Sequence, residues 1–250
     1  MKKLKGYFSK FEISLWLTSV ILITASFLIF DRGSFLTIIA SILGVTAILL
    51  NAKGNPIGQG LMVVFSIIYG IISFGFSYYG EMATYLGMTL HMSVIALVAW
   101  LRNPFKGNKA QVAVNRISKS ETIFMVLLTA AVTFAFYFIL KAFGTANLIP
   151  STLSVTTSFA AVYLTFRRSP YFSLLYAAND VVLIVLWVMA SLKNTSYISV
   201  AVCFLMFLLN DLYAFISWRK MEIKQRLVDQ SRRIWYNKQN KQKGLVQNGK

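Results

Sequence analysis

Hydrophobic positions along the chain fall into eight long runs separated by short polar segments. The runs cover residues 11–30, 34–51, 59–80, 82–101, 122–142, 149–166, 170–192 and 195–217. Each run is close to the roughly 20 residues that an α-helix needs to cross about 30 Å of hydrocarbon. Polar and apolar residues do not alternate within the runs, which argues against membrane-spanning strands. The pattern predicts an all-α integral membrane protein with eight transmembrane helices.

The composition agrees with this class. Hydrophobic residues make up 57% of the 250 residues and charged residues only 13%, whereas about a quarter of a soluble domain is charged. The net charge of +17 could indicate nucleic-acid binding, but the basic residues lie in the loops and the tail. The first run follows a basic segment, as in a signal peptide, yet its length exceeds the roughly 7–15 residues of a signal core. We therefore expect a retained first helix.

Lys and Arg are concentrated in alternate loops. The N-terminus, residue 53, the loop 102–121, residues 167–168 and the tail 219–250 hold 22 of the 25 basic residues. The opposite side has only Arg32, Lys141 and Lys193. Because cytoplasmic loops carry the excess of Lys and Arg, this bias predicts that both termini are cytoplasmic. We expect the basic tail to begin as a helix and then to be disordered.

The two halves of the chain repeat each other weakly. Residues 53–56 before the third run match residues 167–170 before the seventh, and residues 100–102 match residues 218–220. Four spans separate the partners, so equivalent helices cross the membrane in the same direction. This is a parallel repeat, which favours a solute site between the halves near the membrane midplane.

Two carboxylates lie inside apolar runs. Asn179-Asp180 is in the seventh run and Asn210-Asp211 in the eighth, whereas the other six acidic residues are at the ends of runs or outside them. Inserting a carboxylate into a membrane span costs roughly 2.5 kcal/mol or more, and a polar cavity is the usual reason to retain one. The pattern predicts a membrane transporter whose site lies where these two helices face each other.

An aromatic ring accompanies each polar pair. Tyr176 precedes Asn179 by three residues, and Tyr213 follows Asn210 by three, so each ring shares a helix face with its Asn. Amide and carboxyl groups can bond hydroxyls while rings stack on a flat group. The pattern favours a neutral solute with a flat ring and several hydroxyls. Alternatively, Asn179 and Asn210 only bridge helices, at about 0.6 kcal/mol each.

Other candidate chemistry is sparse. His91 and Ser93 lie in the middle of the fourth run, where His91 could be a proton relay, a neutral hydrogen-bonding group or a pocket wall. A metal site is not expected, because one His and scattered acids lack ligand spacing. The hydrolase, zinc and phosphate-loop motifs are absent. We expect neither a cofactor nor an enzymatic activity.

Several segments resemble the PnuC family of bacterial vitamin B3 (nicotinamide riboside) transporters. Residues 207–218, Phe-Leu-Leu-Asn-Asp-Leu-Tyr-Ala-Phe-Ile-Ser-Trp, are similar to the family's final helix with its Asn, Tyr and closing Trp. Residues 174–179 resemble its penultimate helix, and residues 55–58 and 79–81 resemble its first half. The resemblance covers roughly the second to the eighth span.

The resemblance implies an architecture and an assembly. Two parallel three-helix bundles, about 34–101 and 149–217, would be joined by a linking helix at about 122–142, with the first span extra and 219–250 a basic cytoplasmic tail. This is the arrangement of SWEET-type transporters. It further implies a homotrimer in the bacterial cytoplasmic membrane and facilitated diffusion, with the vitamin trapped by phosphorylation inside the cell. Partners other than the solute and the lipid bilayer are not implied.

The resemblance also implies site residues and substrates. Asn179 and Asn210 would bond the amide and the ribose, Tyr176 and Tyr213 would pack on the ring, and Ser93 and His91 would form a third wall. Two positions depart from the riboside pattern, because Leu175-Tyr176 replaces a tandem Trp and Ser93 replaces a Gln. Related members take thiamine, riboflavin or deoxynucleosides, which stay alternative substrates.

Two further hypotheses stay open. A proton-coupled carrier would use Asp180, Asp211 or His91. A membrane protein that does not transport, such as an embedded enzyme or a receptor-like assembly factor, would bind a solute without moving it.

Overall fold

A computed structural model of the protein describes residues 6–33, 35–75, 79–145 and 147–247. Its helices are α1 (Lys10–Phe30), α2 (Phe35–Ala52), α3 (Pro56–Gly75), α4 (Tyr79–Met82), α5 (Leu90–Arg102), α6 (Lys119–Ala142), α7 (Leu148–Phe166), α8 (Phe172–Ser191) and α9 (Ile198–Gln247). A π-helical segment (Ala83–Thr89) continues from α4 into α5, and a 3₁₀ turn (Thr195–Tyr197) precedes α9. A hairpin of β1 (Pro104–Phe105) and β2 (Asn108–Val112) lies between α5 and α6.

Within the described ranges, eight helical segments are long and apolar enough to cross a membrane. The predicted number of spans is therefore confirmed, and their ends differ by a few residues. The third helix begins at Pro56 rather than at 59, because Asn55 Oδ1 accepts a hydrogen bond from the Ile57 N–H (3.0 Å) and proline suits the first helical position. Residues 76–78 of the predicted third run lie outside the described residues, as do residues 1–5 of the basic N-terminus.

The helices pack as two bundles with one connecting helix. In the first bundle α3 packs against α2 and α5, and in the second α8 packs against α7 and α9. Helix α6 contacts α7, while α2 with α9 and α5 with α7 form the contacts between the bundles. Helix α1 packs outside this arrangement, against α2 and α9. The predicted fold class, an all-α integral membrane protein, is confirmed by the eight long apolar helices of the described residues.

The internal repeat is visible in two reciprocal hydrogen bonds. Trp100 at the end of α5 donates its indole N–H to the carbonyl of Thr165 in α7 (2.8 Å). Trp218 in α9 donates in the same way to the carbonyl of Asn51 in α2 (2.7 Å). The two indole rings are fully buried, with centroids 5.3 Å apart. Each half of the chain therefore inserts a tryptophan into the other, at the end of the bundle where α9 leaves it.

The hairpin fixes the start of the tail. The Val112 N–H donates to the carbonyl of Gly54 (2.9 Å), and Gln225 Nε2 donates to the carbonyl of Val112 (3.0 Å). Asn115 N–H donates to the carbonyl of Arg168, the repeat partner of Gly54 (3.0 Å). The segment between the halves thus joins matching turns of both bundles to α9. Beyond this contact α9 continues as a helix to Gln247, further than the helical start that the sequence predicts.

Candidate substrate site

The carboxyl groups of Asp180 and Asp211 meet between α8 and α9. Both side chains are about 95% buried, and the two carboxyl groups are close enough to interact electrostatically. The second oxygen of Asp180, Oδ2, is buried and has no hydrogen-bond partner among the described residues. The structure therefore brings together the two acids that the sequence places in separate spans.

Tyr176 lies one turn before Asp180 on α8. Its ring contacts Phe172 with centroids 6.2 Å apart. Both Asp180 and Asp211 are close enough to act on it electrostatically. Tyr176, Asp180 and Asp211 thus form one cluster, which we call the acid cluster.

Asn179 is buried and faces α7. Its Oδ1 accepts hydrogen bonds from Ser154 Oγ (3.0 Å) and Thr157 Oγ1 (2.9 Å). Neither hydroxyl is among the predicted site residues. The sequence feature that could have indicated them is the high density of Ser and Thr in the sixth hydrophobic run, which is typical of either close helix packing or a polar lining.

Asn210 and Tyr213 face α1 rather than α8. Asn210 Nδ2 donates to Ser19 Oγ (2.9 Å) and to the Met206 carbonyl (2.8 Å), and Tyr213 donates its hydroxyl proton to Glu12 Oε1 (2.6 Å). The buried Oδ1 of Asn210 has no hydrogen-bond partner among the described residues. Neighbouring residues point about 100° apart on a helix, so Asp211 turns toward α8 while Asn210 turns toward α1.

Glu12 makes contacts that the sequence does not predict. Its carboxylate is 2% exposed, forms a salt bridge with Lys53 (3.0 Å) and accepts a hydrogen bond from the Tyr213 hydroxyl. Ser9 and Glu12 also form a capping box at the start of α1. The spacing Ser9-x-x-Glu12 predicts the cap, but the two partners in distant segments follow only from the packing of α1 against α2 and α9.

His91 and Ser93 occupy different faces of α5. Ser93 is 3% exposed, whereas His91 is exposed. Only Ser93 therefore lies inside the bundle. Within the described residues, no group of three or more His, Cys, Asp or Glu side chains is placed to hold a metal ion.

The eight long apolar helices of the described residues, with polar side chains buried between them and an internal repeat, define a multi-pass membrane transporter. Residues 34–220 match the family described as nicotinamide mononucleotide transporter, and the chain belongs to that family. The match confirms the predicted family. It is a family of transporters, in agreement with the expectation that the chain is not an enzyme. Helix α1 precedes the matched residues.

Two curated relatives and one solved structure are similar over most of the chain. The nicotinamide riboside transporter PnuC of Neisseria mucosa is 24% identical over 225 residues, covering 88% of this chain and 85% of that protein. The protein of the same name from Haemophilus influenzae is 24% identical over 212 residues, covering 84% and 90%. The crystal structure of the vitamin B3 transporter PnuC matches the fold with a TM-score of 0.76 at 21% identity, covering 87% of this chain and 94% of that one.

Proposed function

We propose that the chain carries nicotinamide riboside, or a closely related vitamin nucleoside, across the bacterial cytoplasmic membrane by alternating access. The names of the two curated relatives support this solute, and the parallel repeat supports rocking of the two bundles around a central site. The observation that carries the proposal is a pair of buried acceptors, Asp180 Oδ2 and Asn210 Oδ1, that the described residues leave without a partner.

Unpartnered acceptors inside a membrane protein favour a hydrogen-bonding solute. Leaving a buried polar atom unpaired costs about 1–3 kcal/mol, and more for a charged one. A riboside has hydroxyl and carboxamide protons that such acceptors can receive. In this assignment Asp180, Asp211 and Asn210 Oδ1 accept ribose hydroxyls. Asn179 bonds the carboxamide, and Tyr176 packs on the ring.

The assembly and orientation belong to the same proposal. We take the protein to be a homotrimer with both termini and the basic tail in the cytoplasm. The distribution of Lys and Arg supports the orientation. Light scattering of the purified protein tests the trimer. Labelling of single cysteines placed in the tail of a Cys203→Ser protein, in intact cells, tests the orientation.

Two assays test the solute. In a thermal-shift screen of the purified protein, nicotinamide riboside should raise the unfolding temperature more than thiamine, riboflavin or deoxynucleosides. Proteoliposomes should then take up labelled riboside until inside and outside concentrations are equal. Stronger stabilisation by another of these solutes would assign that solute instead. Stabilisation without uptake would favour a receptor-like protein and contradict the transport proposal.

A proton-coupled carrier is the second candidate, and the proximity of the Asp180 and Asp211 carboxyl groups favours it. A proton on this pair could be exchanged each time the bundles rock. Facilitated diffusion predicts that collapsing an imposed proton gradient leaves riboside uptake unchanged. A loss of uptake on collapse would select the coupled mechanism.

Asp180→Asn tests the unpartnered acceptor oxygen of this carboxyl group. The amide keeps one acceptor oxygen and the approximate shape but replaces the other oxygen by an NH2 donor. A solute hydroxyl left without its acceptor costs about 1–3 kcal/mol, so we expect riboside uptake to fall about tenfold, equivalent to about 1.4 kcal/mol. Initial rates in proteoliposomes measure the effect. Asp229→Asn, an exposed carboxylate of the tail, is the matched control and should transport normally.

A further inference from the structure

A cavity lies at the end of the bundle opposite Trp100 and Trp218, which is the outer end in the proposed orientation. Its volume is about 150 Å³, and aromatic rings of α3, α8 and the 3₁₀ turn line it: Tyr69, Trp187 and Tyr197. The rings of Trp187 and Tyr197 are 5.4 Å apart. Asp31 and Glu81 are the charged side chains among its lining residues. The cavity thus combines aromatic walls with carboxylates.

We propose that this outer cavity is a binding site for a flat organic cation, such as the pyridinium ring of a nicotinamide riboside, and that Glu81 determines its charge preference. The inference rests on the proposed function, since it assigns to the same solute a first binding site on its way into the protein. Aromatic faces attract cations through their quadrupole, by about 0.5–2 kcal/mol, and a carboxylate adds attraction in a partly desolvated site. The exposed Arg32 and Lys193 of the neighbouring loops do not line the cavity.

Glu81 also connects this cavity to the predicted site. Its carboxyl group lies beside Tyr69 in the lining of the outer cavity, and the Tyr69 ring is 4.4 Å from that of Tyr85. A smaller cavity of about 30 Å³ is lined by Glu81, Tyr85 and Ser154. Because Ser154 donates to Asn179, polar groups continue from the outer cavity to the second bundle. Glu81 therefore stands where a solute would pass from the outer cavity toward the acid cluster.

The backbone around Glu81 is unusual in a way that fixes this position. The π-helical segment begins two residues after Glu81. Such segments are rare in proteins, and those that occur are often at functional sites. Leu86 of the segment packs closely on α3, since a Cβ atom added at Gly70 would be 2.5 Å from the Leu86 side chain. This close contact holds Tyr85 against Tyr69.

Charge at Glu81 should vary near neutral pH. Glu81 lies between the third and fourth membrane-spanning helices, and burial raises its pKa to about 7. The titratable groups around it in the described residues are Tyr69 of α3, Tyr85 of the π-helical segment, and Asp31 and Tyr197 across the cavity. Only the carboxylate form attracts a cation, so its contribution is present above this pKa and is lost as the pH falls through it.

Two probes that share a ring but differ in charge test the site: 1-methylnicotinamide, a cation, and nicotinamide, which is neutral. With the wild-type protein we expect the cation to inhibit riboside uptake at least about tenfold more strongly. In Glu81→Gln that preference should decrease but not vanish, because the aromatic rings and Asp31 still line the cavity. The KM for riboside should rise about tenfold with an unchanged maximal rate. Asp229→Asn, a carboxylate at the opposite end of the bundle, should retain both values.

Equal inhibition by the two probes in the wild-type protein would overturn the outer site, whether or not Glu81→Gln folds. An unchanged KM and preference in a folded Glu81→Gln would overturn the role of Glu81. If the wild-type protein transports no riboside, the proposed function fails. Thermal stabilisation of that protein by 1-methylnicotinamide and not by nicotinamide would still support the cation site, and equal stabilisation by both would contradict it.

Discussion

Replacing Asn210 by alanine is expected to abolish uptake of nicotinamide riboside while the protein stays folded and assembled. The amide is 1% exposed, and its Oδ1 is an acceptor without a partner in the described part of the chain. Alanine removes that acceptor and leaves a donor of the bound solute unpaired, which costs about 1–3 kcal/mol in binding. Misplacement of the solute adds a loss of transport rate. Uptake into proteoliposomes and gel filtration measure the two expected results.

Ser19→Ala is the matched control, because Ser19 is the partner of Asn210 on α1. This variant removes the acceptor for Asn210 Nδ2 but leaves Oδ1 in place, and Nδ2 keeps the Met206 carbonyl. It should therefore retain most of the uptake. If Ser19→Ala loses as much uptake as Asn210→Ala, then Asn210 acts by anchoring α1. A direct role in solute binding would then be contradicted.

The fold could be read from the sequence because hydrocarbon thickness sets the length of each span. Eight apolar runs of nearly equal length correspond to eight helical spans, and even the cap at Asn55-Pro56 has a local signal. The repeat was readable at Trp100 and Trp218, since both close the last helix of a half. Their exchange between halves was not readable, because a sequence match does not say which carbonyl an indole reaches.

The candidate site was predicted only in part. Asp180 and Asp211 meet as expected, since each is a costly group in an apolar run and both need a polar neighbour. The direction of Asn210 and Tyr213 toward α1 could not be derived. Spacing gives the faces of one helix, but the helix opposite each face is decided by tertiary packing.

The β-hairpin between the bundles is the element that sequence reasoning misses. Lys106 and Gly107 both adopt left-handed backbone conformations at its turn, with φ of 49° and 80°. Gly107-Asn108 is a local turn signal, but the flanking residues alternate too briefly to predict strands. The hairpin is stabilised by Gly54 and Gln225, which are distant in sequence.

Helix α1 has a larger role than its position outside the matched residues suggests. It supplies Ser19 to Asn210 and Glu12 to both Tyr213 and Lys53. Lys53 belongs to the first half and Tyr213 to the second. Helix α1 lies outside the repeat and yet contacts both halves. It holds two of the predicted site residues, Asn210 and Tyr213, by hydrogen bonds.

Trp218→Leu is expected to lower the free energy of unfolding by about 3–5 kcal/mol, the range for truncating a large buried aromatic side chain. The indole is fully buried, and its loss leaves a cavity beside Trp100 and Phe172, whose rings lie 5.3 and 4.9 Å away. It also leaves the Asn51 carbonyl without the indole donor. Thermal and denaturant unfolding of the purified protein in detergent measure the change.

The reciprocal hydrogen bonds of Trp100 and Trp218 lead to a second prediction. Trp100→Leu should destabilise the protein by a similar amount, because Trp100 makes the equivalent bond to Thr165 in the opposite direction. Trp235→Leu is the control, since that side chain is 62% exposed on the extension of α9. Trp218→Phe keeps one aromatic ring and loses the N–H donor with part of the ring volume, so it should cost less than Trp218→Leu, about 1–3 kcal/mol. If Trp218→Leu were as stable as Trp235→Leu, the tryptophan exchange would not hold the two halves together at this end, and rocking of the bundles would need another fixed point.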